Sequence, residues 1–221
     1  MEELKVNIGA GNTYIPSFVN IDISPRADIS LNLNIDELPF EDNTVDLVFT
    51  YHTLEHLDNY LFALGEIHRV LKHRGHLLIG VPYVTLTRNH LVNPYHRQNF
   101  NEYSFDFFDI EKLKGSAVEA NPILFKKVFH RFQYVGIFKM LPIFRNLCRQ
   151  LLFNVVRTID FGLLAIKPPH RILHVNQEDE DHMRREFDEC LSKRVPYPKR
   201  FHSLLTPLPY LLEQDARAEC S

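Results

Sequence analysis

The chain has 221 residues, of which 45% are hydrophobic and 24% charged, with a net charge of -3 and 12 histidines. This is the composition of a soluble globular protein long enough to bury one real core. The lack of a basic excess argues against nucleic acid as a partner.

Leu4, Val6 and Ile8 alternate with polar residues and run into Gly9-Ala10-Gly11-Asn12, which reads as a strand breaking into a tight loop. Phe18 to Ile23 reads as a second strand carrying Asp22 near its end, residues 28–33 as a third, and Val45 to Phe49 as a buried fourth. Only residues 10–17 separate the first two strands, too few for a full crossover helix, so the usual first helix must be shortened or lost. Leu61, Leu64, Ile67 and Leu71 recur at helical spacing after Asp58, and Lys72-His73-Arg74-Gly75 closes that helix. Leu77 to Val81 is the fifth strand.

Residues 83–100 read as a polar, aromatic loop, and 102–113 as a helix capped by Asn101. A strand over 124–134, a helix over 142–157 and a strand over 160–167 complete the sheet. In the 134–166 stretch, Val135, Ile137, Phe138, Met140, Leu141, Ile143 and Phe144 are dense, with Lys139, Arg145, Arg149 and Arg157 among them. A buried helix and strand is one reading; a surface for lipid or a lipid-linked acceptor is the other. Pro168-Pro169 marks a boundary, giving a domain over 1–167 and a tail over 168–221. The tail carries one short helix over 177–193, with acids first, Lys193-Arg194 last, and a stripe of Met183, Phe187 and Leu191. Its end, rich in Pro196, Pro198, Pro207 and Pro209, reads as irregular. Strands alternating with helices predict a doubly wound, mostly parallel α/β sheet of about seven strands, with one antiparallel strand at an edge. Cys148, Cys190 and Cys220 form no CxxC pair, so neither a disulfide framework nor a zinc knuckle is expected. The start has no signal-peptide core and no run of ~18 apolar residues occurs, which leads to the expectation of a cytoplasmic protein.

Four segments in order resemble the class I S-adenosylmethionine-dependent methyltransferases, type 11 subgroup. They are Val6-Asn7-Ile8-Gly9-Ala10-Gly11-Asn12, Asn20-Ile21-Asp22-Ile23-Ser24, Glu37 to Val48 (ELPFEDNTVDLV), and Leu54-Glu55-His56-Leu57 with Glu66 to Leu77. Together they span residues 4–82. The resemblance implies a Rossmann-like fold, S-adenosylmethionine as cofactor and a methyl transfer. It implies a cofactor site of Asn7, Gly9, Gly11, Asp22, Asn34, Ile35 and Tyr51, with Asn34 and Ile35 near the adenine and Tyr51 and His52 near the sulfonium. Small residues at Gly9 and Gly11 let a ligand lie against backbone, and an acid at a strand end can accept ribose hydroxyls. Tyr14 stands where a dinucleotide fingerprint wants a third glycine, which argues against NAD.

An acceptor hydroxyl must lose its proton, and histidine titrates in the useful range. His52, His90 and His96 sit on loops after strands, on the side where ligands bind in this architecture. Asn93 to Phe100 resembles a segment of related methyltransferases in which a histidine follows the fifth strand, so His96 is preferred over His52 as the base. His52-Thr53-Leu54-Glu55-His56 fits H-x-x-E-H, but that zinc motif requires a helix and here follows a strand directly, so no metal is expected there. Thr50-Tyr51-His52 stands where methyltransferases of nucleobase amines carry Asn/Asp-Pro-Pro-Tyr. The expected activity is methylation, on oxygen, of a small-molecule, sugar or lipid-linked glycan acceptor, with peripheral membrane contact open. A non-catalytic binding module and, remotely, a zinc hydrolase are the alternatives.

Overall fold

The computed structural model of the protein describes residues 3–112, 122–141 and 143–198. Cys220, Pro207, Pro209 and the end of the helix expected over 102–113 lie outside them.

The strands are β1 (Lys5–Ile8), β2 (Thr13–Tyr14), β3 (Val19–Asp22), β4 (Ile29–Ser30), β5 (Val45–Tyr51), β6 (Leu71–Pro82), β7 (Phe125–Tyr134), β8 (Val156–Ala165) and β9 (Val195–Pro196). The helices are α1 (Tyr60–Val70), α2 (Arg145–Leu151) and α3 (Gln177–Ser192). Seven strands form one sheet in the order β4-β3-β1-β5-β6-β8-β7, and β2 pairs with β9 apart from it. The strands β4 to β6 are mutually parallel, and β8 runs antiparallel to both of its neighbours. The antiparallel strand is therefore second from the edge, not at it. β7 and β8 are joined end to end by residues 135–155, so β8 returns antiparallel and slots between β7 and β6.

Strand alternation divides the core. Val6, Ile8, Val48, Leu77 and Ile79 pack with Ala63, Leu64, Ile67 and Val70 of α1. Leu47, Phe49 and Leu78 face the other way and pack with Met183, Phe187 and Cys190 of α3. α3 starts on a capping box between Asn176 and Asp179, which satisfies two end groups of the helix. The carboxy-terminal helix thus covers the sheet face opposite α1. The short connection between β1 and β3 holds no helix. Ile15 of that connection is fully buried among the α3 residues, and β2 is held by β9. Asn20 fastens the connection: its Oδ1 accepts from Ile15 N–H at 2.8 Å and from Asn7 Nδ2 at 2.9 Å, and its Nδ2 donates to the Phe18 carbonyl at 3.0 Å.

The ELPFED segment is a brace for α1. Arg69 donates to the Leu38 and Phe40 carbonyls at 2.9 Å each and to Asp42 at 2.8 Å, while Glu66 accepts from Leu38 N–H at 2.8 Å. Where a helix was expected over 102–113, only a single turn at Asp106–Phe108 forms, because Phe105 and Phe108 bury on the sheet. α2 is shorter than the 142–157 span and buries none of its residues. Ile143 is 84% exposed, and Met140, Phe144, Leu151 and Phe153 also face outward. The reading of 134–166 as a buried helix and strand is corrected accordingly: β8 is buried, and the segment before it is not. No helix among the described residues is long and apolar enough to cross a membrane.

Candidate functional site

A cavity of about 300 Å³ opens at the carboxyl ends of β1, β3 and β5, lined by Gly9, Gly11, Asp22, Leu31, Asn34 and His52 among others. The strand ends turn there by left-handed residues: Gly9 at φ +72, Gly11 at +60 and His52 at +57. Gly9 and Ala10 donate their N–H groups to the Ile21 carbonyl at 2.8 and 3.1 Å, folding the loop back over β3. A Cβ on Gly9 would stand 1.9 Å from Thr53 Oγ1, whereas one on Gly11 would meet nothing within 4 Å. Gly9 therefore serves the close approach of two loops, and Gly11 leaves open space in the cavity wall.

Asp22 faces this turn. Its Oδ2 accepts from Gly11 N–H and its Oδ1 from Ser24 N–H, both at 2.8 Å. These bonds hold the carboxylate at the strand end, on the cavity wall. Ile23, Leu31 and Leu33 add apolar wall beside it, with Asn32 and Asn34 as polar points. Asn34 is itself fixed, since Asn59 N–H donates to its Oδ1 at 3.0 Å. A carboxylate next to a ring-sized apolar slot suits a ribose joined to a flat heterocycle.

Of the cofactor residues expected from the sequence, Gly9, Gly11, Asp22 and Asn34 come together here. Three do not. Asn7 is buried and bonds to Asn20. Ile35 is 72% exposed and outside the cavity lining. Tyr51 lies on the α3 side, stacked at 6.3 Å on Phe49, and lines a separate hollow with Gln133, Arg157 and Thr158. Burial pushes its phenol up, and the Arg194 guanidinium sits 5.1 Å from its ring centre.

The histidines gather at the same mouth. His52 and His56 line the cavity. His52 Nδ1 lies 3.1 Å from Glu55 Oε1, and Glu55 is buried. His96 is one ring further out, its centroid 4.6 Å from that of His56. Its Nδ1 is 2.7 Å from His90 Nδ1, and His90 Nε2 is 2.8 Å from Asn99 Oδ1. Burial, then the neighbouring His56, lowers the His96 pKa below the ordinary imidazole value. The loop that carries His96 is tied down by the Arg97 and Gln98 N–H groups, which donate to the Glu55 carbonyl at 2.7 and 3.1 Å. Residues 54–56 form one 3-10 turn and not an α-helix, so His52 and His56 do not share a helix face. Asn32, Thr53 and His56 are polar lining residues outside the expected set of ligand contacts; His56 is visible in the sequence only as the end of the H-x-x-E-H string.

Residues 10–79 match the family described as a methyltransferase domain, type 11. Over these residues the chain is similar to that family. An uncharacterized protein of Methanocaldococcus jannaschii is 35% identical over 130 residues, covering 52% of this chain and 52% of its own. A probable S-adenosylmethionine-dependent methyltransferase of Mycobacterium tuberculosis is 32% identical over 80 residues, covering 35% of this chain and 29% of its own. The chain thus spans about half or less of the length of these relatives. Among solved structures, an S-adenosylmethionine-dependent methyltransferase from Archaeoglobus fulgidus superposes with a TM-score of 0.51 at 15% identity, over 73% of this chain and 86% of that one. That likeness is one of fold. The methyltransferase domain match runs from the glycine loop through α1 to Ile79 in β6, and so covers most residues of the cavity.

Proposed function

We propose that this chain is an S-adenosylmethionine-dependent methyltransferase that methylates a hydroxyl of a sugar, lipid-linked glycan or other small acceptor. The observation that carries the reading is the cavity in which Gly11 leaves open wall directly beside the Asp22 carboxylate. When bound, the cofactor supplies a methyl group activated on a sulfonium. Asp22 would hold the two ribose hydroxyls, Ile23 and Leu31 would flank the adenine, and the open wall at Gly11 would leave room for the amino-acid end.

The acceptor side belongs to the histidines. His52 lines the cavity and has one nitrogen engaged by buried Glu55, the pairing by which a carboxylate orients an imidazole and stabilises its protonated form. His52 takes the acceptor's proton on Nε2, and Glu55 steadies the imidazolium that results. His96 forms the outer wall behind His56.

The acceptor class rests on a second observation. Apolar side chains at 140, 143, 144, 151 and 153 are all exposed, with Lys139 just before them and Arg145 among them in sequence. Apolar groups mixed with cations suit the surface of an anionic bilayer, where a lipid-linked acceptor would be met. The test is transfer of labelled methyl to polyprenyl-linked glycans presented in anionic vesicles. Label on the glycan, with protein sedimenting on the vesicles, is the expected result. Transfer to a free sugar without vesicle binding would retire the lipid-linked acceptor and leave the methyltransferase.

A further inference from the structure

Beyond methyl transfer, we infer that Glu55, His56 and His96 form a binding site for one divalent transition-metal ion of the zinc class, at the mouth of the donor cavity. The ligating atoms of these three residues all lie within 4.8 Å of one another. This is not the H-x-x-E-H set of a helix, since His52 is replaced by His96, 40 residues along the chain from His56.

Three features of the hydrogen bonding point to an ion. Glu55 Oε2 is buried and has no hydrogen-bond partner, although Oε1 is engaged by His52. A buried carboxylate oxygen left bare is costly, and a cation next to it removes that cost. His56 Nδ1 is 3.2 Å from the Tyr95 carbonyl, which can only accept, so Nδ1 carries the proton and Nε2 keeps its lone pair. His96 is set in the same way. Asn99 Oδ1 accepts from His90 Nε2–H, which leaves His90 Nδ1 as acceptor and makes His96 Nδ1 the donor. His96 Nε2 is therefore also a free lone pair. An outer partner that protonates one ring nitrogen and leaves the other bare is the usual support of a metal-bound histidine.

Two imidazoles and a carboxylate select zinc, iron or cobalt over magnesium and calcium, and leave coordination positions open to water or a hydroxyl. Ligand bonds of about 2.0–2.2 Å require the three atoms to draw in to roughly 3–3.6 Å from one another. The second histidine and acid group, His76, His182 and Glu186, has no such vacancy. There the carboxylate already bonds His76 at 2.6 Å.

The test is titration of tag-free, metal-stripped protein with Zn²⁺ by calorimetry and with Co²⁺ by visible absorption, without cofactor or acceptor. One equivalent is expected to bind. His56→Ala and His96→Ala should each weaken it at least about 100-fold, and Asn99→Ala about 10–100-fold through its hold on His90. His182→Ala should change nothing. His56 is exposed, so its loss leaves the fold intact, and a circular dichroism melt checks this. No binding, or binding that survives His56→Ala, overturns the site. Because the readout is metal binding alone, its failure leaves the methyltransferase reading untouched, and the reverse holds too.

Discussion

In the proposed site, the donor side is made largely of backbone, and the acceptor side of side chains. On the donor side, Gly9, Ala10 and Gly11 turn off β1, and Asp22 is locked onto Gly11 N–H and Ser24 N–H at one strand end. All of this lies between Gly9 and Ser24. On the acceptor side, Glu55 and His56 come from one turn while His90 and His96 come from a loop some 35 to 40 residues later, held by two bonds to a single carbonyl. A backbone cradle tolerates almost no change of residue at its closest point. A side-chain cluster can lose one member and keep its shape.

The largest expected effect follows from the first half of that contrast. Gly9→Ala puts a Cβ 1.9 Å from Thr53 Oγ1 at a left-handed φ, and should abolish binding of S-adenosylhomocysteine in calorimetry and lower the melting temperature. Gly11→Ala meets no protein atom, so its cost in stability should be only the left-handed backbone, about 1–2 kcal/mol, while its Cβ enters the open wall and should weaken S-adenosylhomocysteine binding without abolishing it. Equal losses for the two would break the distinction between close approach and open wall.

Next in size is the histidine pair. His52→Ala should cut turnover about 10²-fold or more with cofactor affinity unchanged. His96→Ala, one ring further from the cavity, should cost less. Both are to be measured in chelator-treated protein, so that no bound ion contributes. The reverse order would return the proton transfer to His96. The smallest expected effect is that of Tyr51→Phe, which should leave cofactor affinity unchanged, because Tyr51 lies on the α3 side of the sheet. A loss of affinity there would join the two hollows into one site.

The same contrast governs what could be read from the sequence. Gly9, Gly11 and Asp22 are local, and each sits at a strand end that alternation already marks. The face of Tyr51 is legible too: it follows Phe49 by two residues, so it shares the face of Leu47 and Phe49 and turns away from His52. The sheet was legible to within a few residues at most strands. The position of β8 was not, since alternation does not reveal strand order. α3 was legible from Met183, Phe187 and its charge order, but its role was not. Nothing in residues 177–192 says that they cover the face that the short 10–18 connection leaves bare. The meeting of Glu55, His56, His90 and His96 was hidden for the same reason: it depends on where a loop without periodicity is tied down.

The central claim is most directly tested by calorimetry of S-adenosylhomocysteine binding to the unaltered chain and to Asp22→Ala. One-to-one binding that weakens at least about tenfold, or 1.4 kcal/mol, in the variant is the predicted result. Absence of heat from the unaltered chain, or equal affinity in both, would contradict it and leave a methyltransferase-like fold serving only as a binding module.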